Sequence, residues 1–409
     1  MLDQRLRIIV VGGGAAGFFA AIRCAELNPE AEVIMLERGK SVLGKVKISG
    51  GGRCNVTHAC WTPQELVEHY PRGKRELLGP FHQFACGDTV DWFEQRGVQL
   101  KIEGDGRMFP VTDDSQTIID CLWSCAKRAG VQVRTGQRVD GFVFDKNEKC
   151  WKIISEEKTI LADKLIIATG SNPRIWQQLA KLGHTIIKPV PSLFTFNIKD
   201  KRIKNLLGIS LPNAHIQIKN SKLEATGPLL ITHWGMSGPA ILKLSAWGAR
   251  ELADLKYEFT ITVNWINREK KLVTEAIRQL KAENAKKLVV KYAQFDLPAR
   301  LWQRLVAAAN ISDDKRWADL NKHQMQALAK QLQSADFQVN GKSTFKEEFV
   351  TAGGIDLREV NFKTFESKLL PGLYFAGEVL NIDAITGGFN FQAAWTGGWI
   401  AGAAMAGVG

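Results

Sequence analysis

Ile8-Ile9-Val10-Val11-Gly12-Gly13-Gly14-Ala15-Ala16-Gly17 decides the fold of this chain. A short β-branched run enters G-x-G-x-x-G, an amphipathic segment follows to about Leu27, and a second apolar strand, Glu32 to Leu36, ends on Glu37. That order is the dinucleotide fingerprint. Gly12 makes the tight turn, Gly14 lets the backbone approach a pyrophosphate, and Gly17 lets helix pack on strand. The N–H groups around Gly14, Ala15 and Ala16 face the phosphates from the positive end of the helix. Glu37, with Arg38 beside it, accepts hydrogen bonds from ribose hydroxyls.

Outward from this unit, 409 residues are long for one core and predict two or three units. Apolar and charged fractions of 45% and 23% are ordinary for a globular protein. No apolar run is long enough for a membrane span, and the first one is broken by glycines too early for a signal peptide. The seven cysteines are odd in number and scattered, with no paired C-x-x-C, which excludes a thiolate metal site and fits a reducing cytoplasm. Cys121 and Cys125 read as small hydrophobes in a helix.

Residues 113–129 predict a helix, with Asp113 and Asp114 near its start. A strand follows at 130–134, then an antiparallel pair at 139–145 and 151–155, then the buried strand Leu165 to Gly170. Pro189, Pro191 and a change in composition place a boundary near 192. Residues 193–344 hold 24 of the 54 Lys and Arg residues but only 13 of the 42 Asp and Glu, a net +11 that leaves +1 for the rest of the chain. Such a segment suits a polyanion, or serves only as a solvated surface. Its first part, 193–266, reads as strands; its second, 267–333, as helices starting near Asn267, Asp296-Leu297-Pro298 and Asn321. Leu301, Leu305 and Ala308 have helical spacing and read as core. From 345 the first texture returns: a strand into Gly377-Glu378, then a glycine pair opening an apolar final helix.

Four motifs in this order resemble the BaiN/YhiN-like bacterial flavoproteins, also called aminoacetone-oxidase-type FAD enzymes. They are residues 12–17, Ser49-Gly50-Gly51-Gly52-Arg53-Cys54-Asn55, Thr232-His233-Trp234-Gly235-Met236-Ser237-Gly238-Pro239, and Gly377-Glu378 through Asn390. The resemblance covers nearly the whole chain. It implies an α/β protein: a discontinuous Rossmann-like FAD-binding domain (1–192 and 345–409) with an inserted β-barrel plus helical domain (193–344). It implies reduction of activated C=C bonds, in rings of bile-acid type or in the uridine of ribosomal RNA. Gly44 and Asn381 depart from the family, which often has Arg and Asp there.

With a flavin implied, the remaining motifs acquire roles. Backbone N–H groups of the loop at Gly51 and Gly52 face a pyrophosphate or a flavin edge. Arg53 neutralises phosphate, Lys45 reaches the same region, and Asn55 lies beside them. Val139, Thr169 and Gly170 are further cofactor candidates. Gly388, Phe389 and Asn390 begin a helix whose positive end suits the charged edge of the reduced ring, while Glu378 or Asp383 bonds the ribityl chain or the ring. Cys54 is either a proton donor or a packed thiol; with Cys60 it has the wrong spacing for a flavin disulfide reductase, and no second G-x-G-x-x-G is present. His233 is a second catalytic candidate, or a packing histidine. Asp105 to Pro110 reads as a loop over the site or as a plain hairpin. Lys270, Lys271, Arg278, Lys281, Lys286 and Lys287 are candidate RNA contacts, with positions 271, 278 and 281 on one helix face.

Three functions follow as expectations. An NADH- or NADPH-driven reductase of uridine in RNA comes first. A small-molecule oxidase or enone reductase is the second, and a flavin-bearing binding protein without turnover is the third.

Overall fold

The computed structural model describes residues 5–155, 158–343 and 350–407, and divides into two compact units, one of residues 1–190 with 346–409 and one of 191–345. In the first unit, β1 (Arg7–Val11) is an interior strand of a seven-stranded sheet. It pairs in parallel with β2 (Glu32–Leu36) on one side and with Lys164–Ile167 on the other. Gln132–Arg134 and Leu373–Phe375 extend the parallel part outward. The inner strands are continuous apolar runs because both faces of a parallel sheet are covered, while Gln132–Arg134 at the edge is not. The loop after β1 sits where the strand order reverses, the place such sheets offer to ligands.

Helix α1 (Ala15–Leu27) packs on the C-terminal helix Phe389–Ala406. Small residues make this possible. A Cβ on Gly398 would lie 2.5 Å from the Ala16 carbonyl oxygen, and one on Gly402 2.6 Å from that of Ala20. The helix is apolar around most of its circumference, as a helix buried on several sides must be.

The helix expected at 113–129 is Ser115–Arg128, started by Asp114, whose side chain accepts from the Gln116 N–H at 2.8 Å. Cys121 and Cys125 are buried on it. The antiparallel pair forms at Val139–Asp145 and Cys150–Ser155, and a third strand, Lys158–Ala162, joins it. Asp105 to Pro110 forms the plain hairpin, Leu100–Ile102 against Arg107–Pro110.

In the second unit the strand segment 335–343 pairs with Glu258–Asn264 through its first part and with Thr195–Asn197 through its second, after a bend at Gly341. The sheet therefore closes on itself as a barrel. Residues 193–266 are not all strand. Pro239–Trp247 and Ala249–Asp254 are helices, the first begun by Pro239 directly after Gly238. Asn267 is not an N-cap: it takes left-handed backbone (φ 46°), and its helix begins after Glu269. The next helix begins directly after Pro298, where Asp296-Leu297-Pro298 placed it. Asn321 does cap, in a reciprocal box with Gln324. Leu301 and Leu305 are fully buried and Ala308 half-buried, while Trp302 and Trp317 stack in the core rather than facing out.

Gly402→Leu should lower the stability of the folded protein by about 1–3 kcal/mol through overpacking against α1. Chemical denaturation of wild type and variant checks this, and an unchanged midpoint and slope would refute the packing argument.

Candidate cofactor site

Four segments of the first unit meet at the end of β1. The three fingerprint glycines have different reasons to be glycine. A Cβ on Gly12 would lie 2.5 Å from the Ala168 carbonyl oxygen, and one on Gly17 2.0 Å from that of Gly12. The protein itself demands those two. Gly14 has an ordinary φ of −95°, and a Cβ there would meet nothing within 4 Å. Its side chain would enter open space directly over the N-terminus of α1, which no side chain caps and which has no acid in its first turn. That space is what a dinucleotide pyrophosphate needs.

Glu37 closes one side. Its carboxylate accepts from the Gly13 N–H at 2.8 Å and from the Gly39 N–H at 2.7 Å, which fixes it at the rim of the turn with lone pairs to spare for ribose hydroxyls. Arg38 is exposed beside it. Val139 begins its strand just after Gln137, whose N–H donates to the Glu37 carbonyl. On the opposite side, the Thr169 hydroxyl oxygen is buried without a protein partner. A buried unpaired hydroxyl beside an open cradle is the mark of a ligand contact. A Cβ on Gly170 would lie 3.7 Å from a Glu378 carboxylate oxygen, and Glu378 pairs with Lys45, so these three converge. Gly377 holds the Glu378 turn close to α1, with room only for hydrogen against Ala16.

The second glycine loop opens after one helical turn from Gly44. Ser49 is extended, and Gly50, Gly51 and Gly52 are left-handed, with φ of 58°, 70° and 87°. Gly50 is forced by Phe109, while Gly51 and Gly52 face open space and can present N–H groups. Asn55 ties this loop to the C-terminal helix, donating to the Thr57 carbonyl at 3.1 Å and accepting from the Gly388 N–H at 2.9 Å. Gly388 itself is squeezed against the Thr57 carbonyl.

Several expected ligands are engaged elsewhere. The Arg53 guanidinium pairs with Glu103 at 2.5 Å and with Asp113, and lies over the Phe109 ring. Asp383 is fully buried and held bidentate by Arg72. The Asn390 amide closes on both backbone groups of Ala384. Each is spent on shaping the site, because a charge or amide buried there needs its own partner first. Phe389 is buried in a stack with His58 and His69, at ring distances of 4.6 and 4.0 Å. Spacing pointed to neither histidine. Burial lowers the affinity of His58 for a proton, although its contact with the Asp105 carbonyl works the other way. Cys54 is fully buried with left-handed backbone, and burial pushes its thiol up to about 12. That favours the packed thiol over the proton donor. Cys54 and Cys60 are separate free thiols. His233 is exposed, and it belongs to the other compact unit. Among the described residues no cluster of His, Cys, Asp and Glu could hold a metal ion, and no helix is long and apolar enough to cross a membrane.

The open Gly14, the orphaned Thr169 hydroxyl and the placed Glu37 carboxylate fit FAD, and the fold and site are those of an FAD-dependent oxidoreductase. The chain belongs to the HI0933-like Rossmann-domain family, whose pattern matches residues 6–404. It is 28% identical to a 3-dehydro-bile acid delta(4,6)-reductase of Clostridium scindens, covering 98% of this chain and 99% of that one. It is 29% identical to a ribosomal RNA dihydrouridine synthase of Escherichia coli, covering 97% of each. Among solved structures, a 3-ketosteroid delta1-dehydrogenase from Sterolibacterium denitrificans superposes with a TM-score of 0.52 at 10% identity, over 98% of this chain and 99% of that one, a likeness of fold.

Gly14→Val should fold and purify colourless, because a Cβ there meets no protein atom within 4 Å while the side chain enters the pyrophosphate position. The checks are flavin absorbance per protein and a melting curve. A folded variant with full flavin content would contradict the placement.

Proposed function

We propose that this protein is an NADH- or NADPH-driven reductase that saturates an activated C=C bond, with uridine in ribosomal RNA as the favoured acceptor. Bound FAD would take hydride from the nicotinamide and deliver it to the acceptor. The residues of the chain would hold that cofactor. Gly14 and the first turn of α1 receive the pyrophosphate, Glu37 the ribose, and Gly51 and Gly52 offer N–H groups. Lys45 and Glu378, which pair with each other, offer ligand groups of either sign.

The two relatives are named for reductions of a double bond conjugated to a carbonyl, so the type of reaction is common to both names. The observation that favours RNA is the net +11 of residues 193–344. Its helical cluster is narrower than the sequence suggests. Lys271, Arg278, Lys286 and Lys287 are exposed, the last donating to Asn284 at 2.9 Å, but Lys281 is half-buried and donates to the Leu320 carbonyl at 2.6 Å. The side chain of Lys270 lies outside the described residues. A second reading, reduction of a small enone, is favoured by the nearly equal identity to the bile-acid enzyme.

The test is anaerobic oxidation of NADH and NADPH by the holoprotein with unmodified ribosomal RNA or with a 3-oxo-Δ4 steroid as acceptor. Dihydrouridine detected by nucleoside mass spectrometry, in proportion to nicotinamide oxidised, is expected. Steroid reduction with no dihydrouridine would replace this reading by the second.

A further inference from the structure

At one end of the barrel the turn between Glu224–Ile231 and Gly235–Ser237 carries His233 and Trp234, both exposed, the indole to 55%. Leu207 and Leu230 are exposed there too. A tryptophan left half in water is informative, because burying it is worth so much elsewhere. The turn that displays it is rigid. The Thr232 hydroxyl accepts from the N–H groups of Trp234 and Gly235, at 3.3 and 3.2 Å. Gly235 is pressed onto the neighbouring strand, where a Cβ would lie 2.3 Å from the Phe196 carbonyl oxygen. The Trp234 carbonyl accepts from the Ile198 N–H at 2.8 Å, and the Gly208 N–H donates to the Ile231 carbonyl at 3.0 Å. The segment 198–208 is thus fastened beside the turn at both of its ends.

That segment carries Lys199, Lys201 and Lys204, all exposed. Its one acid, Asp200, is held by Arg202 through contacts of 2.9 and 2.7 Å, and Arg202 lies over the Phe337 ring at 3.8 Å. Among the described residues no acidic side chain pairs with the three lysines. Three exposed lysines thus lie on the segment fastened beside the turn that displays Trp234.

We propose that this end of the barrel is a platform for single-stranded RNA, with Trp234 stacking on an unpaired base and Lys199, Lys201 and Lys204 meeting the phosphates on either side. The partner class rests on the RNA reading above; the location and the residues do not. Lysine is depleted where proteins meet proteins and serves where phosphate is neutralised. An exposed indole that stacks on RNA needs an open base face, which a paired A-form helix does not offer and a loop or single strand does.

The experiment measures anisotropy of a labelled oligouridylate, its duplex with oligoadenylate, and anionic phospholipid vesicles against the holoprotein across a salt series. Flavin absorbance and melting temperature report folding of each variant. Trp234→Ala should weaken oligouridylate binding roughly tenfold with an unchanged salt slope, and Trp234→Phe should restore most of it. Lys199→Gln, Lys201→Gln and Lys204→Gln together should flatten the slope of log affinity against log salt by about 2. No binding at low salt, a preference for duplex, tighter binding to vesicles, or indifference to both sets of changes would each overturn the platform. Dihydrouridine formation with RNA affinity indifferent to these residues would keep the substrate and discard the platform. The predicted binding pattern without dihydrouridine formation would do the reverse.

Discussion

The structure hangs on the contact of two backbones at Gly12 and Gly17. Helix α1 leaves β1 so tightly that a Cβ on Gly17 would sit 2.0 Å from the Gly12 carbonyl oxygen. That approach fixes where the N-terminus of α1 points and leaves its first N–H groups facing a space no side chain fills. The C-terminal helix then packs on α1 through Gly398 and Gly402, which brings Gly388 and its neighbours to the same edge of the sheet. Residues 376 positions apart, Gly12 and Gly388, share one site because the glycines of the C-terminal helix let it touch α1 at Ala16 and Ala20.

Around that edge the polar side chains divide by what they already hold. Arg53, Asp383 and Asn390 are committed to Glu103 with Asp113, to Arg72, and to Ala384. They give the loops their shape. Glu37 is held by two N–H groups yet keeps acceptor capacity, Thr169 has a buried hydroxyl without a partner, and Gly14, Gly51 and Gly52 border open space. These are the positions left for a ligand; Gly14, Glu37 and Thr169 lie at the termini of regular elements, which hold a site more firmly than loops do.

The sequence disclosed what local chemistry dictates. The turn at 12–17, the Asp114 and Asn321 caps and the strand pair after Val139 are written in contiguous residues, and they stand where they were expected. Asn267 misled because Asn favours both N-caps and left-handed backbone, and only tertiary context selects between them. The helices at 239–254 were hidden inside a segment read as strand, although Gly238-Pro239 is a legitimate helix start. The Arg72–Asp383 pair joins residues 311 apart in sequence, and the stack of His58 and His69 on Phe389 likewise has no local signature. Such partners become visible only when the chain has closed.

Amide hydrogen exchange of the apoprotein with and without FAD tests the central claim most directly. Titrated FAD should slow exchange at residues 12–17, 37–39, 50–52 and 377–388 while the barrel at 195–264 keeps its rates. Protection absent from the first two of these stretches would contradict the assignment of the glycine turn and Glu37 to the cofactor.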